Sequence, residues 1–498
     1  MQTRPAATPQ DPSSPGTHRH GVVTRLRRVT VWQWGLVVLV AVHTWYFTRA
    51  GLRIHHGLGT SSYDFGLYDQ GVWLMSRLKA PFVTLMGRNL FGDHTSFVLL
   101  PLVPFYMVWP AAGVLFFAQS AAIAAGAIPV FLYARGRLES EAVALLLAAV
   151  YLVHPAVQWA NVENFHPDAF LGVFVGTAIY AALQRRWRLY AVFVVLALLV
   201  KEDAALVVVP LGIWVAMRRH RRIGLLTVAG GISAVPAALF LVIRPLRGTA
   251  FPNSWRFPFG GMGGLMAEAF RRPWNVLQHL WSGDRPWYLF QMAAPLLGVF
   301  TRLPDVALIG SLALASNLLS TFTFQHQIEY HYSLVVVPAL ALGTVHALGV
   351  IRGRVRAALL GAMAVAAIAA ASVWGPLPFS ANAPDYWPPD HPAAVDAREI
   401  LEDIPDDAVV SAFHRLTAHL AHRQEIYAFP SPFRTTPWWG NEGDLSGVRI
   451  PAADRVEYVV LPVDKTIEDL AGPWAEVEDE FHLVRTVGQW ELYVRVPG

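Results

Sequence analysis

The chain has 498 residues, of which 54% are hydrophobic and 15% charged, with a formal net charge of +4 and no cysteine. Soluble proteins carry about 25% charged residues, so this composition and a mean hydropathy of +0.38 exclude an ordinary soluble enzyme. Without cysteine the chain has no disulfide, thiolate nucleophile or thiolate metal site. Apolar runs recur from residue 31 to residue 374, and at about 15 to 22 residues most can cross a hydrocarbon core as helices. The sequence therefore predicts an all-α polytopic membrane bundle.

The chain begins with a segment, residues 1–30, whose proline, serine, threonine, glutamine and arginine content predicts a disordered cytoplasmic tail. The first apolar run follows an arginine cluster and lacks a small-residue cleavage site, so we interpret it as an uncleaved span. The stretch 96–110 contains three prolines and is interpreted as a re-entrant or interfacial helix. About eleven transmembrane helices are predicted, at 31–49, 112–134, 141–157, 168–184, 188–200, 204–217, 223–243, 287–301, 305–320, 333–350 and 357–374.

Arginine clusters orient this layout. Short cytoplasmic loops carry an excess of lysine and arginine, and with the N-terminus inside, every short arginine cluster falls on the inner side. These clusters contain Arg135, Arg137, Arg185, Arg186, Arg188, Arg218, Arg219, Arg221, Arg222, Arg352, Arg354 and Arg356. We therefore expect a plasma-membrane protein whose polar loops, above all the large first loop 50–111, are extracytoplasmic.

The composition changes after residue 374, where the transmembrane region 31–374 ends. A proline-rich linker, 375–392, precedes a segment, 393–498, that is predicted to be a small extracytoplasmic α/β domain. In that segment AAVDAREILEDI is typical of a helix. AVVSAF, EIYAF and VEYVVLP are typical of strands, and HLVRTV-GQ-WELYVRV is typical of a hairpin.

Two carboxylates stand in SSYDFGLYDQ, at the start of the first outer loop. If 63–79 is helical, the five-residue spacing places Asp64 and Asp69 about 140° apart around the axis, which argues against a close carboxylate pair. Asp64 is the candidate general base, with helix N-capping as the alternative. Asp69 is the second catalytic candidate, with a supporting or structural role as the alternative.

Further along the first loop, Asp93 and His94 in FGDH are also candidate catalytic groups, with helix capping again as the alternative. In NVENFHPD, His166 is a candidate substrate-binding residue. Glu163, His166 and Asp168 are weak metal candidates, because carboxylate and imidazole both suit zinc or manganese. A divalent cation is therefore left open, and no other cofactor is expected.

Three more polar segments interrupt or border apolar runs: KED at 201–203, RPLRG at 244–248 and QHQIEYHY at 325–332. Ionisable side chains at a membrane boundary are costly and usually functional, so we predict that these groups bind substrate or phosphate, the arginines by bidentate contact. A plain turn between spans is the alternative for KED, and membrane-interface anchoring is the alternative for QHQIEYHY and for the arginines. The candidates are Lys201, Glu202, Asp203, Arg244, Arg247, His326, Glu329 and His331.

The sequence resembles a bacterial family of predicted membrane proteins of unknown function, and the resemblance implies a bacterial plasma membrane. It rests on YDFGLYDQ, FGDH, NFHP, KEDAAL, the YHY before a span and the stretch from Arg423 to Pro430. The architecture also resembles the GT-C class of integral-membrane glycosyltransferases. That resemblance implies a catalytic acid early in the first outer loop, where Asp64 lies. It also implies a polyprenyl-phosphate sugar as donor, with Arg244 and Arg247 meeting the donor phosphate.

The resulting hypothesis is a GT-C-like glycosyltransferase that moves a sugar from a polyprenyl-phosphate donor to an extracytoplasmic acceptor. Such transfer requires a base for the acceptor hydroxyl and cationic groups for the departing phosphate. The expected partners are membrane lipids, the lipid-linked donor and the acceptor, and no nucleic acid. A transporter or flippase of a lipid-linked precursor and a non-catalytic membrane scaffold remain as alternatives. The spans are mostly free of charged residues and show no evident inverted repeat, which disfavours the transporter.

Overall fold

A computed structural model of the protein describes residues 29–249, 253–436, 439–440 and 446–497. Residues 1–28 of the predicted disordered tail lie outside the described residues. Within the described part the chain is mostly helical, with one small sheet near its C-terminal end.

Long apolar helices form the body of the molecule. Five described helices are long and apolar enough to cross a membrane, and a bent pair, Glu141–Leu152 and Pro155–Val162, makes a sixth if it acts as one span. A helix of about 20 residues matches a hydrocarbon core of about 30 Å. The five are Val31–His56, Ala112–Leu138, Arg221–Arg247, His331–Leu348 and Gly353–Trp374.

Burial separates central from peripheral helices. In Ala112–Leu138 and His331–Leu348, 67% and 83% of the most apolar window is buried, so these two helices form the centre of the bundle. In Val31–His56, Arg221–Arg247 and Gly353–Trp374 only 22%, 17% and 22% is buried. Apolar side chains that point away from the protein in this way suit contact with lipid tails.

Other helices are shorter than the sequence predicts. The stretch 96–110 forms the short helical segment Phe97–Val108, too short to span, as the three prolines suggest. The predicted span 287–301 is interrupted at Leu297 and Gly298, which both have positive φ. The described residues do not contain eleven continuous spans. The remaining described helices of eight or more residues are Leu67–Ser76, Ala169–Leu183, Trp187–Leu198, Ala205–Arg218, Met262–Arg271, Pro273–Leu280, Arg285–Ala293, Ser311–Leu319 and Pro392–Leu401.

The helices run back and forth, so their connecting turns gather at two ends. At one end Tyr133 donates to His346 over 2.6 Å, and Trp214 donates to Asp305 over 3.1 Å. This end carries the arginine-rich helix ends and turns near Leu138, Leu183, Arg218 and Leu348. At the other end lie the turns with the predicted site residues. The positive-inside pattern therefore distinguishes the two ends of the bundle.

The C-terminal segment forms a five-stranded sheet on the helix Pro392–Leu401. A separate two-stranded ribbon, β1 (Phe82–Val83) with β2 (Arg88–Asn89), lies in the first loop. The C-terminal strands are β3 (Val410–Ala412), β4 (Ile426–Ala428), β5 (Tyr458–Pro462), β6 (Phe481–Val487) and β7 (Trp490–Arg495). The strand order is β4-β3-β5-β7-β6, with β3 parallel to β4 and β5, and β7 antiparallel to β5 and β6. The predicted helix, strands and hairpin are all present.

This sheet domain packs against the first loop of the membrane domain. Thr84 Oγ1 both donates to the Ile426 carbonyl and accepts from the Ile426 amide, at 2.7 and 2.9 Å. Gln70 Nε2 donates to the carbonyls of Arg423 and Gln424. Side chains from both parts also share one buried apolar cluster. The C-terminal domain therefore covers part of the first loop.

Candidate functional site

Asp64 lies at a sharp turn before the helix Leu67–Ser76. Its backbone has φ +66° and ψ −74°, a conformation that a residue with a Cβ rarely adopts and that often marks functional positions. The Asp64 side chain makes no N-cap hydrogen bond to that helix, so the capping alternative is wrong. The residue is half-buried and lines a cavity of about 390 Å³. This turn directs a carboxylate into an enclosed, polar space.

The cavity raises the proton affinity of Asp64. Burial raises the pKa of its carboxyl to about 6, although the neighbouring His166 acts in the opposite direction. Neither oxygen of Asp64 accepts a hydrogen bond from any residue that the structure describes. An ionised carboxylate without such a bond is available to accept a proton from a bound molecule.

Asp69 faces away from this cavity. Its Oδ1 accepts hydrogen bonds from the Tyr106 hydroxyl at 2.7 Å and from His422 Nε2 at 3.0 Å, and the side chain is 4% exposed. His422 belongs to the C-terminal domain, so this contact joins the domain to the first loop. The geometry thus separates the two aspartates and assigns Asp69 a connecting position.

Asp93 holds two arginines at the edge of the cavity. Its Oδ1 lies 3.1 Å from Arg88 Nη2 and 3.0 Å from Arg247 Nη1. Arg247 is almost completely buried, whereas Arg244, one turn earlier, is exposed and does not line the cavity. Of the two arginines singled out in the sequence, the structure brings only Arg247 to Asp64.

Two further arginines of the cavity, Arg88 and Arg256, were missed by sequence reasoning. Arg256 lies with its guanidinium 4.5 Å from the Phe322 ring centre and 3.5 Å from the Tyr332 hydroxyl. Both residues stand in short elements without hydrophobic periodicity: Arg88 begins the two-residue strand β2, and Arg256 ends the single 3-10 turn Ser254–Arg256. The only available signal was the position of Arg88 five residues before Asp93. Together Arg88, Arg247 and Arg256 give the cavity three guanidinium groups.

Lys201, Glu202 and Asp203, the KED triplet, form ion pairs and hydrogen bonds next to the cavity. His94 Nδ1 donates to Glu202 Oε1 over 2.6 Å, and the Thr95 amide donates to Glu202 Oε2 over 3.2 Å. Lys201 Nζ lies 3.6 Å from Asp168 and 3.9 Å from Asp203. Of these residues only His94 lines the cavity itself. The triplet therefore fixes neighbouring loops through ion pairs between parts of the chain that are distant in sequence.

Glu163, His166 and His331 form a buried cluster beside Asp64. Glu163 Oε2 lies 2.9 Å from His166 Nε2 and 3.1 Å from His331 Nδ1. Burial alone lowers the pKa of an imidazole, but Glu163 and Asp64 outweigh it and raise the pKa of His166 to about 9. The donor atoms of the three residues are close enough to hold a metal ion. Asp168, the third residue of the metal set predicted from sequence, pairs with Lys201 instead.

His326 and Glu329 lie elsewhere. They line a different cavity of about 510 Å³, together with residues such as Asp284 and Trp374. Although the sequence QHQIEYHY places them within five residues of His331, the chain turns between them. The structure therefore separates these two candidates from the cavity that contains Asp64.

A third cavity, also of about 510 Å³, lies between the first loop and the C-terminal domain. Its lining includes Tyr63, which also lines the Asp64 cavity, and the domain residues Phe413, His414 and Phe429. One tyrosine thus separates two adjoining spaces, one lined by arginines and one by aromatic and polar groups.

The whole chain resembles two solved structures. ArnT from Cupriavidus metallidurans in the apo state matches with a TM-score of 0.54 and 13% identity, over 93% of this chain and 98% of that chain. ArnT from the same organism bound to undecaprenyl phosphate matches with a TM-score of 0.52 and 12% identity, over 94% and 99%. At such identities the likeness concerns the fold.

No curated protein matches the chain in sequence. A family model described as "Predicted membrane protein (DUF2079)" matches residues 54–494, which include every residue of the Asp64 cavity. That match spans most of the chain and confirms the resemblance to a family of unknown function. The chain belongs to the DUF2079 family of predicted membrane proteins.

Proposed function

We propose that this protein is a membrane glycosyltransferase that moves a sugar from a polyprenyl-phosphate donor to an extracytoplasmic hydroxyl acceptor. The observation that carries the proposal is the joint presence of the Asp64 carboxylate and three arginines in one cavity. The whole-chain likeness to ArnT, a GT-C glycosyltransferase, supports it, and one ArnT structure contains undecaprenyl phosphate.

The proposed reaction assigns Asp64 the role of base. The acceptor hydroxyl transfers its proton to Asp64 while its oxygen bonds to the anomeric carbon of the donor sugar. The bond between that carbon and the phosphate oxygen breaks, and the electron pair stays on the polyprenyl phosphate. A carboxyl with a pKa of about 6 is mostly ionised at neutral pH, so it can accept the proton.

The arginines suit the departing phosphate. Guanidinium groups bind phosphate oxygens bidentately, and charge that develops on the leaving group is stabilised most strongly in an enclosed cavity. Arg256 serves this role without a carboxylate partner among the described residues, whereas Arg88 and Arg247 share Asp93. Exposed apolar side chains nearby, at Leu246 and Trp255, suit the donor's hydrocarbon tail.

The acceptor reaches Asp64 from the third cavity in this scheme. Aromatic rings with neighbouring hydroxyl and imidazole groups, as at Phe413, Phe429 and His414, suit a carbohydrate-like surface. Because the arginine-rich turns lie at the opposite end of the bundle, the positive-inside rule favours an extracytoplasmic site.

The test is a transfer assay with purified full-length protein in detergent, supplied with a panel of polyprenyl-phosphate sugars. Release of polyprenyl phosphate is measured for the wild type and for Asp64→Asn, with Asp284→Asn as an exposed control. We expect the loss of a general base to reduce the rate by about 10²- to 10⁴-fold. Equal rates for Asp64→Asn and wild type would remove Asp64 as the base.

Two other outcomes separate the alternatives. Transbilayer movement of the intact lipid-linked sugar in proteoliposomes, with no cleavage of the donor, would favour a flippase. A cellular phenotype that survives Asp64→Asn but is abolished by deletion of 375–498 would favour a scaffold.

A further inference from the structure

The cluster of Glu163, His166 and His331 assembles donor atoms from two distant parts of the chain. Glu163 follows the helix Pro155–Val162, His166 lies in the next loop, and His331 begins the central helix 168 positions after Glu163. All three side chains are at most 12% exposed. Their ligand atoms all lie within 4.8 Å of one another.

The contacts within this cluster are not those of a simple hydrogen-bonded triad. His166 Nε2 is fully buried and lies 2.9 Å from Glu163 Oε2, yet it has no hydrogen-bond partner of acceptable direction. The imidazole rings of His166 and His331 stack with centres 3.6 Å apart and planes inclined by 23°. His331 Nδ1 does hydrogen-bond to Glu163 Oε2 over 3.1 Å, so within the cluster it is His166 Nε2 that stays unpaired. A buried nitrogen that lies this close to other ligand atoms without bonding to them suits a shared metal ion. Buried polar atoms otherwise rarely stay unpaired.

We propose that Glu163, His166 and His331 bind a zinc ion. Two imidazoles and one carboxylate are the ligand set of catalytic zinc sites, which keep a further coordination position open for water or substrate. Magnesium prefers oxygen ligands and retains water, so two imidazoles disfavour it. Metal sites of this kind require no cysteine, and the chain has none.

The proposed zinc site borders the Asp64 cavity. His166 lines that cavity together with Asp64 and Tyr332. A zinc ion held by His166 therefore adds a cation to the space where the proposed reaction brings a phosphate and a hydroxyl, both of which offer oxygen atoms. In this respect the inference deepens the proposed function, but the metal site itself is built only from this chain's residues.

Zinc content provides the test, independently of any sugar donor. Full-length protein in detergent is stripped with a chelator and dialysed against zinc chloride, and bound zinc is measured by mass spectrometry of the metal. We expect one zinc ion per chain for the wild type, and loss of stoichiometric zinc for Glu163→Gln and for His331→Gln. His326→Gln is the matched control, because it removes a buried histidine from the same segment but from a different cavity.

Size-exclusion profiles and thermal unfolding show whether each variant is folded, and His331→Asn serves as a second substitution if His331→Gln does not fold. Wild-type protein that binds no zinc, or Glu163→Gln and His331→Gln variants that bind as much as wild type, would overturn the site. Stoichiometric binding of manganese or magnesium in place of zinc would overturn the choice of metal. A chain that binds zinc but transfers no sugar would leave this site standing while the proposed function fails, and the reverse holds for transfer without zinc.

Discussion

Arg247 donates to the carboxylate of Asp93 over 3.0 Å, although 154 positions separate the two residues in the chain. Arg88 reaches the same oxygen from the other side. Together with His94 and Arg88 itself, Arg247 offsets the cost of burial and holds the pKa of Asp93 below its usual value. One carboxylate thus joins the first loop to the end of a distant membrane helix.

Replacement of Asp93 by Asn is expected to destabilise the protein, because it removes the negative charge that Asp93 offers to the nearly buried Arg247 and to Arg88. Breaking a buried ion pair by removing one partner costs about 3 kcal/mol or more. Thermal unfolding in detergent measures the effect as a lower midpoint, with Asp284→Asn as the exposed control. Equal midpoints for Asp93→Asn and Asp284→Asn would show that Asp93 contributes no such stabilisation.

The Arg256→Gln variant is expected to bind polyprenyl phosphate more weakly than wild type, by about 10- to 100-fold, because a charged hydrogen bond contributes roughly 1.5 to 3 kcal/mol. Arg244→Gln is the matched control, since Arg244 was predicted to bind phosphate but is exposed and lies outside the cavity. Titration of undecaprenyl phosphate into purified protein provides the affinities. A larger loss for Arg244→Gln than for Arg256→Gln would contradict this assignment.

The rate of sugar transfer is expected to fall as the pH falls through about 6, because protonated Asp64 cannot act as a base. The pH profile of kcat/KM for the wild type measures this fall in rate at low pH. A profile that stays flat between about pH 5 and about pH 7 would be inconsistent with Asp64 as the base.

Asp64→Asn is expected to be more stable than wild type above pH 6. The pKa of Asp64 in the folded chain, about 6, exceeds the ordinary value of about 4 for aspartate. The folded state therefore favours the protonated form, and its stabilising effect is lost as the pH rises through about 6. Thermal unfolding between about pH 4 and about pH 6 should show a difference in unfolding midpoint between variant and wild type that widens as the pH rises. A difference that does not change with pH would contradict the expectation.

Docking of the C-terminal domain is expected to weaken at high pH through His422. Burial alone would lower the pKa of this imidazole, but Asp69 outweighs burial and raises it. A raised pKa means that the stabilising pair is present at low pH and is lost as the pH rises through the folded value. Limited proteolysis within 375–391 is therefore expected to be faster at high pH in the wild type.

The His422→Gln variant provides the control for that experiment, because glutamine does not titrate. Its proteolysis is expected to be as fast as that of the wild type at high pH, once the pH dependence of the protease itself is subtracted. A wild type whose docking strengthens with rising pH would show that the Asp69–His422 pair does not hold the domain in this way.

Much of the architecture could be predicted from the sequence because it depends on local patterns. Apolar runs identified the long helices, and the arginine clusters predicted which side of the membrane each connecting turn faces. Alternating patterns identified the strands of the C-terminal sheet. The spans between 285 and 319 were predicted less well, because apolar composition does not reveal where Leu297 and Gly298 interrupt a helix.

The candidate site was only partly predictable. The sequence singled out Asp64, Asp93, His94, His166 and Arg247, which the structure brings to one cavity. It also singled out Arg244, His326 and Glu329, which lie outside that cavity, and it missed Arg88 and Arg256. Polar residues in irregular loops have no periodicity that fixes the direction of their side chains, so their sequence position alone cannot distinguish the two groups.

By itself the sequence determined that the protein is a membrane bundle with polar loops gathered at one end and a small α/β domain after them. Apolar runs and charge distribution are properties of each segment. Whether a segment lies in lipid or in water follows directly from them. Only the tertiary structure decided that Lys201 pairs with Asp168, that His331 joins Glu163 and His166, and that Asp93 holds Arg88 and Arg247. These contacts join residues that are far apart in the chain, and packing of whole helices sets which of them meet.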